Sequence, residues 1–251
     1  MGREISDYLA EARRILVFTG AGVSTGSGIP DYRGPRGLWK TQSPVYYRDF
    51  MTSESERTRY WSQKLAGWEA FRNARPTAVH RAVVRLEEAG KLLAVVTQNI
   101  DGLHRKAGTS GRLLVELHGT MDEVECQSCG ARHQPERWFR RFADTGRTPR
   151  CRCGGFLKPA TISFGQSLRA ADLQRAFAAA DGADLVVSLG STLEVTPAAD
   201  VPLRAARRGV PYLVINRGPT GHDGLPLVTL RLDGDVQELF PSAVRRALGE
   251  G

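Results

Sequence analysis

Ile15-Leu16-Val17-Phe18-Thr19-Gly20-Ala21-Gly22-Val23-Ser24-Thr25-Gly26-Ser27-Gly28 decides the fold. Four apolar residues in a row, too short for a helix and closed by small residues, predict a strand buried on both faces. The glycines that follow let backbone approach a pyrophosphate, with a helix N-terminus to supply N–H donors. The spacing departs from the usual dinucleotide fingerprint G-x-G-x-x-G/A, because the third small position is Thr25 and Gly26 comes one place later. No acidic residue closes a second strand about 20 residues on, where a ribose partner is expected. Taken alone, the stretch reads as a structural turn at least as well as a cofactor loop.

Outward from it, strands and helices alternate. Ile5, Tyr8, Leu9 and Ala12 share a helical face over residues 3–13. Pro76-Thr77 opens a helix bearing Val79, Val83, Val84 and Leu86, which Gly90 is placed to end. Strands are predicted at Leu92–Thr97, Leu113–Leu117, Leu185–Leu189, Tyr212–Ile215 and Leu227–Leu232, and helices at 168–180, 197–208 and 235–248. Residues 35–75, rich in aromatic and charged side chains, read as less regular. Strands apolar on both faces and alternating with helices imply a parallel α/β sheet covered on both sides. Four strands end in small or polar residues: Thr19-Gly20, Thr97-Gln98-Asn99, Gly190-Ser191-Thr192 and Asn216-Arg217. In open α/β sheets the ligand crevice lies beyond the carboxyl ends of the strands, so one ligand could touch all four.

Composition sets the outer limits. With 251 residues, 41% hydrophobic and 25% charged, the chain is a globular one of one large domain or a domain with an insert. Its net charge of +8 favours acidic partners such as phosphates, nucleic acid or acidic surfaces. Apolar runs such as Leu92–Val96 are strand length, far from the ~20 residues of a membrane-crossing helix. A polar N-terminus without a signal-peptide core points to the cytoplasm. All four cysteines lie between Cys126 and Cys153, unlike the spread of a secreted disulfide scaffold.

Those cysteines form a Cys126-x-x-Cys129 knuckle and, 21 residues later, a Cys151-x-Cys153 pair in place of the expected C-x-x-C. Glycines follow each pair (Gly130, then Gly154 and Gly155), as two tight turns around one ion require. Four thiolates suit a closed, structural zinc site. The short second pair leaves open that one ligand is displaced, with His133 the nearest substitute.

Ile29-Pro30-Asp31-Tyr32-Arg33-Gly34 places an acid, an aromatic and an arginine directly after the glycine turn. Arg33 suits a charge-assisted contact to phosphate, whereas Asp31 and Tyr32 also fit a turn and a core. Here the chain resembles the sirtuin family of NAD-dependent protein deacylases. The resemblance rests on Gly20-Ala-Gly-Val-Ser with Ser27-Gly-Ile-Pro-Asp-Tyr-Arg33, on Thr97-Gln-Asn-Ile-Asp-Gly-Leu-His104, and on Leu117-His118-Gly119. Gly37-Leu-Trp39, Phe164-Gly165-Gln166 and Gly190-Ser-Thr192 support it, and the match runs in order from about Arg14 to Asp235. Residues 58–68 are most similar to the class II branch.

The resemblance implies a Rossmann-like domain (1–35, 76–122 and 155–251) and a smaller helical plus zinc-binding module (36–75 and 123–154), with NAD and acyl-lysine meeting between them. It implies transfer of the acyl group from lysine to ADP-ribose with release of nicotinamide. His118 matches the catalytic base, and Asn99 and Asp101 match residues that hold the ribose and nicotinamide region, with Gln98 and Ile100 lining the same stretch. Gly20, Ala21, Gly22, Thr25, Ile29, Asp31, Tyr32, Arg33 and Trp39 match the cofactor loop. Gly190, Ser191, Thr192, Asn216 and Val236 match the adenosine end. Ile162, Phe164 and Gly165 match the segment where the peptide adds as a strand, although the family's Glu is Gln166 here. His104 is assigned a structural role. Family members that remove acidic acyl groups use a Tyr and an Arg three residues apart; Tyr60 matches the first and Gln63 falls at the second, which disfavours succinyl and malonyl groups, with Lys64 as a neighbouring source of charge.

Three rivals stand beside this reading. A nucleic-acid-binding zinc ribbon accounts for the charge and the knuckles but not for the glycine turn or the strand tips. An NAD-dependent mono-ADP-ribosyltransferase shares the cofactor and differs in product. A catalytically silent NAD-binding module leaves His118, Asn99 and Asp101 without a purpose.

Overall fold

The computed structural model describes residues 3–29 and 43–250. Its strands are β1 (Ile15–Thr19), β2 (Leu92–Thr97), β3 (Leu114–Glu116), β4 (Gly119–Cys126), β5 (Arg132–His133), β6 (Leu157–Thr161), β7 (Leu185–Leu189), β8 (Tyr212–Asn216) and β9 (Leu230–Asp233). Its helices are α1 (Ile5–Glu11), α2 (Tyr47–Thr52), α3 (Glu54–Asn73), α4 (Ala78–Glu88), α5 (Leu103–Ala107), α6 (Glu136–Thr145), α7 (Ala170–Gly182), α8 (Asp200–Ala206) and α9 (Val236–Ala247).

Six strands form one parallel sheet in the order β3-β2-β1-β7-β8-β9. Every residue of β1, β7 and β8 is buried, because helices cover both faces. Strand alternation sorts the side chains: Ile15 and Val17 pack with α1, α4 and α9, while Leu16 and Phe18 pack with α7 and α8. At ~25 cal/mol per Å², a fully buried side chain of this kind contributes about 1.5–3 kcal/mol. The chain runs outward from β1 through β2 to β3, then resumes on the other side of β1 with β7. The topological switch point therefore lies between β1 and β7, beside the glycine turn.

A second, antiparallel sheet has the order β5-β4-β6. It shares an aromatic core with α2, α3 and α6, where Trp61 meets Phe139 at 5.2 Å and Trp68 stacks on Phe139 at 4.2 Å. Residues 54–73, expected to be irregular, form a 20-residue helix capped by Ser53, whose Oγ accepts the Glu56 amide. Element boundaries also move: the helix expected over 168–180 is Ala170–Gly182, that over 197–208 is Asp200–Ala206, and the last strand begins at Leu230. No helix among the described residues is long and apolar enough to cross a membrane.

Candidate active site

Three strand tips and the glycine turn meet at the switch point. Ala21–Ser27 forms a 3-10 turn directly after β1. A Cβ on Gly20 would lie 2.6 Å from the Gly190 carbonyl oxygen, and one on Gly22 would lie 2.7 Å from the Gly190 Cα. The backbones after β1 and β7 thus pack directly on each other at the switch point, where open α/β sheets place the ligand crevice. The Gly22 amide donates to the Gly190 carbonyl at 2.9 Å. Gln98, just past β2, reaches over and donates through Nε2 to Ser191 Oγ at 2.8 Å, and that hydroxyl also accepts the Leu193 amide.

Asn99 and Asp101 close the same crevice. Asn99 Nδ2 donates to the Gly20 carbonyl at 3.0 Å and to Ser24 Oγ at 3.1 Å. Ser24 in turn donates to Asp101 Oδ2 at 2.6 Å, while Asp101 Oδ1 accepts the Leu103 amide. Burial pushes the Asp101 carboxyl above its ordinary range, against the pull of the Ser24 hydroxyl. Ser24 thereby joins the glycine turn to the β2 tip. It lay inside the quoted glycine stretch, and its serine type was the signal that could have marked it.

His118 stands between β3 and β4. Its Nδ1 lies 3.0 Å from the Gln98 carbonyl oxygen. A carbonyl only accepts, so the proton sits on Nδ1 and the Nε2 lone pair is left for other work. Burial lowers the imidazole pKa, and the bond to Gln98 opposes that shift. Gly119 adopts φ +74°, and a Cβ there would stand 2.0 Å from the Ala160 carbonyl oxygen. Only glycine lets β4 leave His118 this close to β6. The His118 carbonyl accepts the Ile162 amide at 2.8 Å, placing the segment of Ile162, Phe164 and Gly165 beside the imidazole.

The remaining assigned residues divide by location. Thr25 closes the turn on the Gly22 carbonyl, and Ile29 packs with Leu103. Ile100 turns its side chain into the aromatic core of the smaller module. Thr192 accepts the Gly221 amide through its carbonyl. Asn216 ends β8 with its amide turned onto the Arg217 and Gly218 carbonyls, and Val236 opens α9. Asp31, Tyr32, Arg33 and Trp39 lie outside the described residues. His104 is buried with Nε2 3.1 Å from Thr19 Oγ1, consistent with a supporting position behind the tips.

Beside the Ile162 segment, Tyr60 hydroxyl lies 2.9 Å from Thr161 Oγ1. Lys158, 1% exposed, donates to the Thr161 carbonyl; burial first and neighbouring Lys64 second hold its ammonium well below the usual lysine range. No sequence signal set Lys158 apart, because a lysine next to a proline reads as surface. Gln63 turns instead to the Ser43 carbonyl.

All four cysteines come together. Their Sγ atoms lie within 4.8 Å of one another, with Cys126–Cys153 at 3.5 Å and Cys129–Cys151 at 3.9 Å. A tetrahedral zinc with ~2.3 Å bonds sets sulfur–sulfur edges of about 3.8 Å. The donor set therefore fits one zinc ion with both members of the shortened C-x-C pair as ligands. His133 lies outside the cluster, paired with Val124 across β4 and β5.

A parallel sheet whose two glycine turns pack backbone on backbone at its switch point, joined to a four-cysteine module, defines a dinucleotide-binding α/β enzyme with a structural metal knuckle. A family model of the Sir2 family matches residues 20–197. NAD-dependent protein deacetylase 1 of Bradyrhizobium diazoefficiens is 41% identical over 230 residues, covering 91% of this chain and 90% of the relative. An NAD-dependent protein deacetylase of Caldivirga maquilingensis is 36% identical, covering 100% of this chain and 96% of its own. A solved complex of Sir2 with p53 peptide and NAD+ superposes with a TM-score of 0.86 at 34% identity, covering 98% of this chain and 97% of that one. The chain belongs to the Sir2 family, the sirtuins.

Proposed function

We infer that the protein is an NAD-dependent protein-lysine deacylase of the deacetylase type, transferring the acyl group from lysine to ADP-ribose. Family membership and long relatives carrying the name NAD-dependent protein deacetylase support this over mono-ADP-ribosyl transfer. The observation that carries the chemistry is the imidazole of His118, held by Gln98 with its Nε2 lone pair uncommitted and set beside the strand segment assigned to the peptide.

When bound, NAD supplies the acyl acceptor, a ribose whose nicotinamide leaves as a neutral pyridine. The turns of Gly20, Gly22 and Gly190 suit its pyrophosphate, since they stand at the switch point and pack backbone on backbone where a Cβ would strike the opposite main chain. Asn99 and Asp101 are assigned to orient the ribose and nicotinamide end, and Gln98 and Ser191 to bridge toward the adenosine end with Thr192, Asn216 and Val236. His118 Nε2 is assigned to remove a hydroxyl proton, a task suited to a histidine whose burial keeps it unprotonated near neutral pH. Ile162, Phe164 and Gly165 are assigned to pair with the backbone of an acylated peptide. The two-part division of the chain, with cofactor and acyl-lysine meeting in the cleft, belongs to the same reading, as do the class II affinity of residues 58–68 and a cytoplasmic setting. Acyl transfer itself requires neither membrane nor nucleic acid.

The test is nicotinamide release from NAD with and without an acetyl-lysine peptide. Release should depend on the peptide and yield O-acyl-ADP-ribose. His118→Ala should keep NAD binding and lose about 10²–10⁴-fold in deacylation. Deacylation by that variant at the parent rate would falsify the assignment, and a modified protein in place of O-acyl-ADP-ribose would favour ADP-ribosyl transfer.

A further inference from the structure

The excess positive charge of the chain is gathered on one element of the smaller module. Residues 132–153 carry seven arginines against Glu136 and Asp144, leaving five of the chain's eight net positive charges in this short stretch. All seven are exposed. Only Arg132 has carboxylate partners, Glu123 and Glu125. Arg137, Arg140, Arg141, Arg147, Arg150 and Arg152 form no ion pair among the described residues, although the module has acids of its own.

Four of these arginines surround a cavity of about 460 Å³, lined by Arg137, Arg141, Arg150 and Arg152 with His133 and Trp138. Both ring side chains in that lining have a buried nitrogen without a protein partner, His133 Nε2 and Trp138 Nε1, and Trp138 is 7% exposed. Aromatic faces hold two of the guanidinium groups in place: Arg137 lies 4.5 Å from the Trp138 ring centroid and Arg150 lies 4.4 Å from that of Phe156. Fixed guanidinium forks without carboxylates match phosphate oxygens in geometry and charge.

We propose that this face of α6 and the second cysteine turn binds the phosphate backbone of double-stranded nucleic acid, independently of base sequence. One observation favours that partner over an acidic protein. Protein interfaces are anchored by exposed aromatic or large aliphatic residues, and the only exposed large hydrophobics among the described residues, Tyr46 and Leu225, belong to other segments. The same lack removes the stacking platform that single strands require. What remains is charge with a fixed fork geometry, the form of recognition that reads backbone rather than sequence. The surface lies outside the acyl-transfer crevice, and its assignment stands whether or not His118 is the base.

The experiment measures binding of the zinc-loaded full-length protein to a random-sequence DNA duplex as a function of salt. Contact with about five phosphates gives a slope of log K against log salt of about −4 to −5. Arg137→Ala with Arg141→Ala should reduce that magnitude by about 2, while peptide deacylation without DNA stays at the parent rate. Arg137→Lys with Arg141→Lys should restore most of the slope, since the charges return, and Arg150→Ala should lower it by about 1 from the other side of the cavity. Absence of duplex binding at low salt overturns the proposal. So does a slope unchanged in the alanine variants, which would put the contact elsewhere, or tighter binding of poly-glutamate than of the duplex, which would mark the surface as a dock for acidic protein.

Discussion

The parallel sheet and the three-stranded module are held together by different means. In the sheet, cohesion comes from continuous apolar strands, with β1, β7 and β8 buried along their whole length between two helical layers. The module has an antiparallel sheet built on the eight-residue β4, an aromatic cluster, and four thiols gathered at its edge. One region is stabilised by area removed from water along regular elements. The other depends on a few large rings and on a metal-sized knot. The imidazole of His118, assigned as the base, sits on the seam, between the end of β3 and the start of β4, so each region controls one side of its position.

Removing the metal should break the comparison most sharply. Structural zinc contributes on the order of 10 kcal/mol to folding of small modules, more than the ~3–5 kcal/mol that loss of any one ring of the aromatic cluster removes. Chelation, or Cys126→Ser, should release about one zinc per chain and shift the fluorescence of Trp61, Trp68 and Trp138 to the red. Far-UV dichroism should retain the signal of the larger domain. An unchanged tryptophan spectrum after metal loss would show that the rings alone suffice.

A smaller effect is expected from the rings. Trp61 is fully buried, packs on Phe139 and Phe142, and donates its indole N–H to the Leu157 carbonyl at 3.1 Å. Trp61→Ala should cost about 3–5 kcal/mol by the usual large-to-small penalty. Denaturant unfolding should then show the module melting ahead of the sheet; a single unchanged transition would mean that the two regions unfold as one.

The smallest effect belongs to the sheet and follows pH. His80 is fully buried, and burial first and Arg81 second bring its pKa down to about 4. His104, its ring 4.6 Å from that of His80, is held well below the ordinary value by burial and then by His80. Both rings are neutral in the folded protein, while an unfolded histidine titrates near ~6.5. Between these values the unfolded chain binds more protons, so stability is intact above about pH 6.5 and falls as pH drops toward 4. His80 alone should remove about 2 kcal/mol between pH 7 and pH 5. Urea titrations at the two pH values measure it, and a His80→Gln variant with the same acid sensitivity as the parent would refute the assignment.

The same contrast explains how much was legible beforehand. Strands β1, β2 and β8 are apolar runs up to their polar ends, β7 is broken only by Ser188, and α4 and α9 repeat their apolar residues at helical spacing, so the sheet could be read directly. Helix α3 escaped because its buried side includes Arg57, whose guanidinium donates to the Phe50 carbonyl, and charged residues fall on every face. Strand β6 escaped because Leu157-Lys158-Pro159-Ala160-Thr161 contains a lysine and a proline yet is buried throughout. Helix α6 carries its apolar signal in only Trp138, Phe139 and Phe142, interspersed with exposed Arg137, Arg140 and Arg141 between the two cysteine pairs. Within the site, the blocks that hold Asn99, Asp101 and His118 were legible, but the link through Ser24, which accepts from Asn99 and donates to Asp101, is a matter of tertiary structure.

Strand β6 has a mechanical consequence. It leaves the second cysteine turn at Phe156 and arrives at Thr161 one residue before the Ile162 segment, pinned along the way by Val124↔Pro159 and Cys126↔Leu157 pairing and by the buried Lys158. Five residues of stiff backbone thus act as a pushrod between the thiol knot and the groove edge. With Ile162, Phe164 and Gly165 assigned to the peptide, oxidation of those thiols at the far end of the rod would register as weakened peptide recognition.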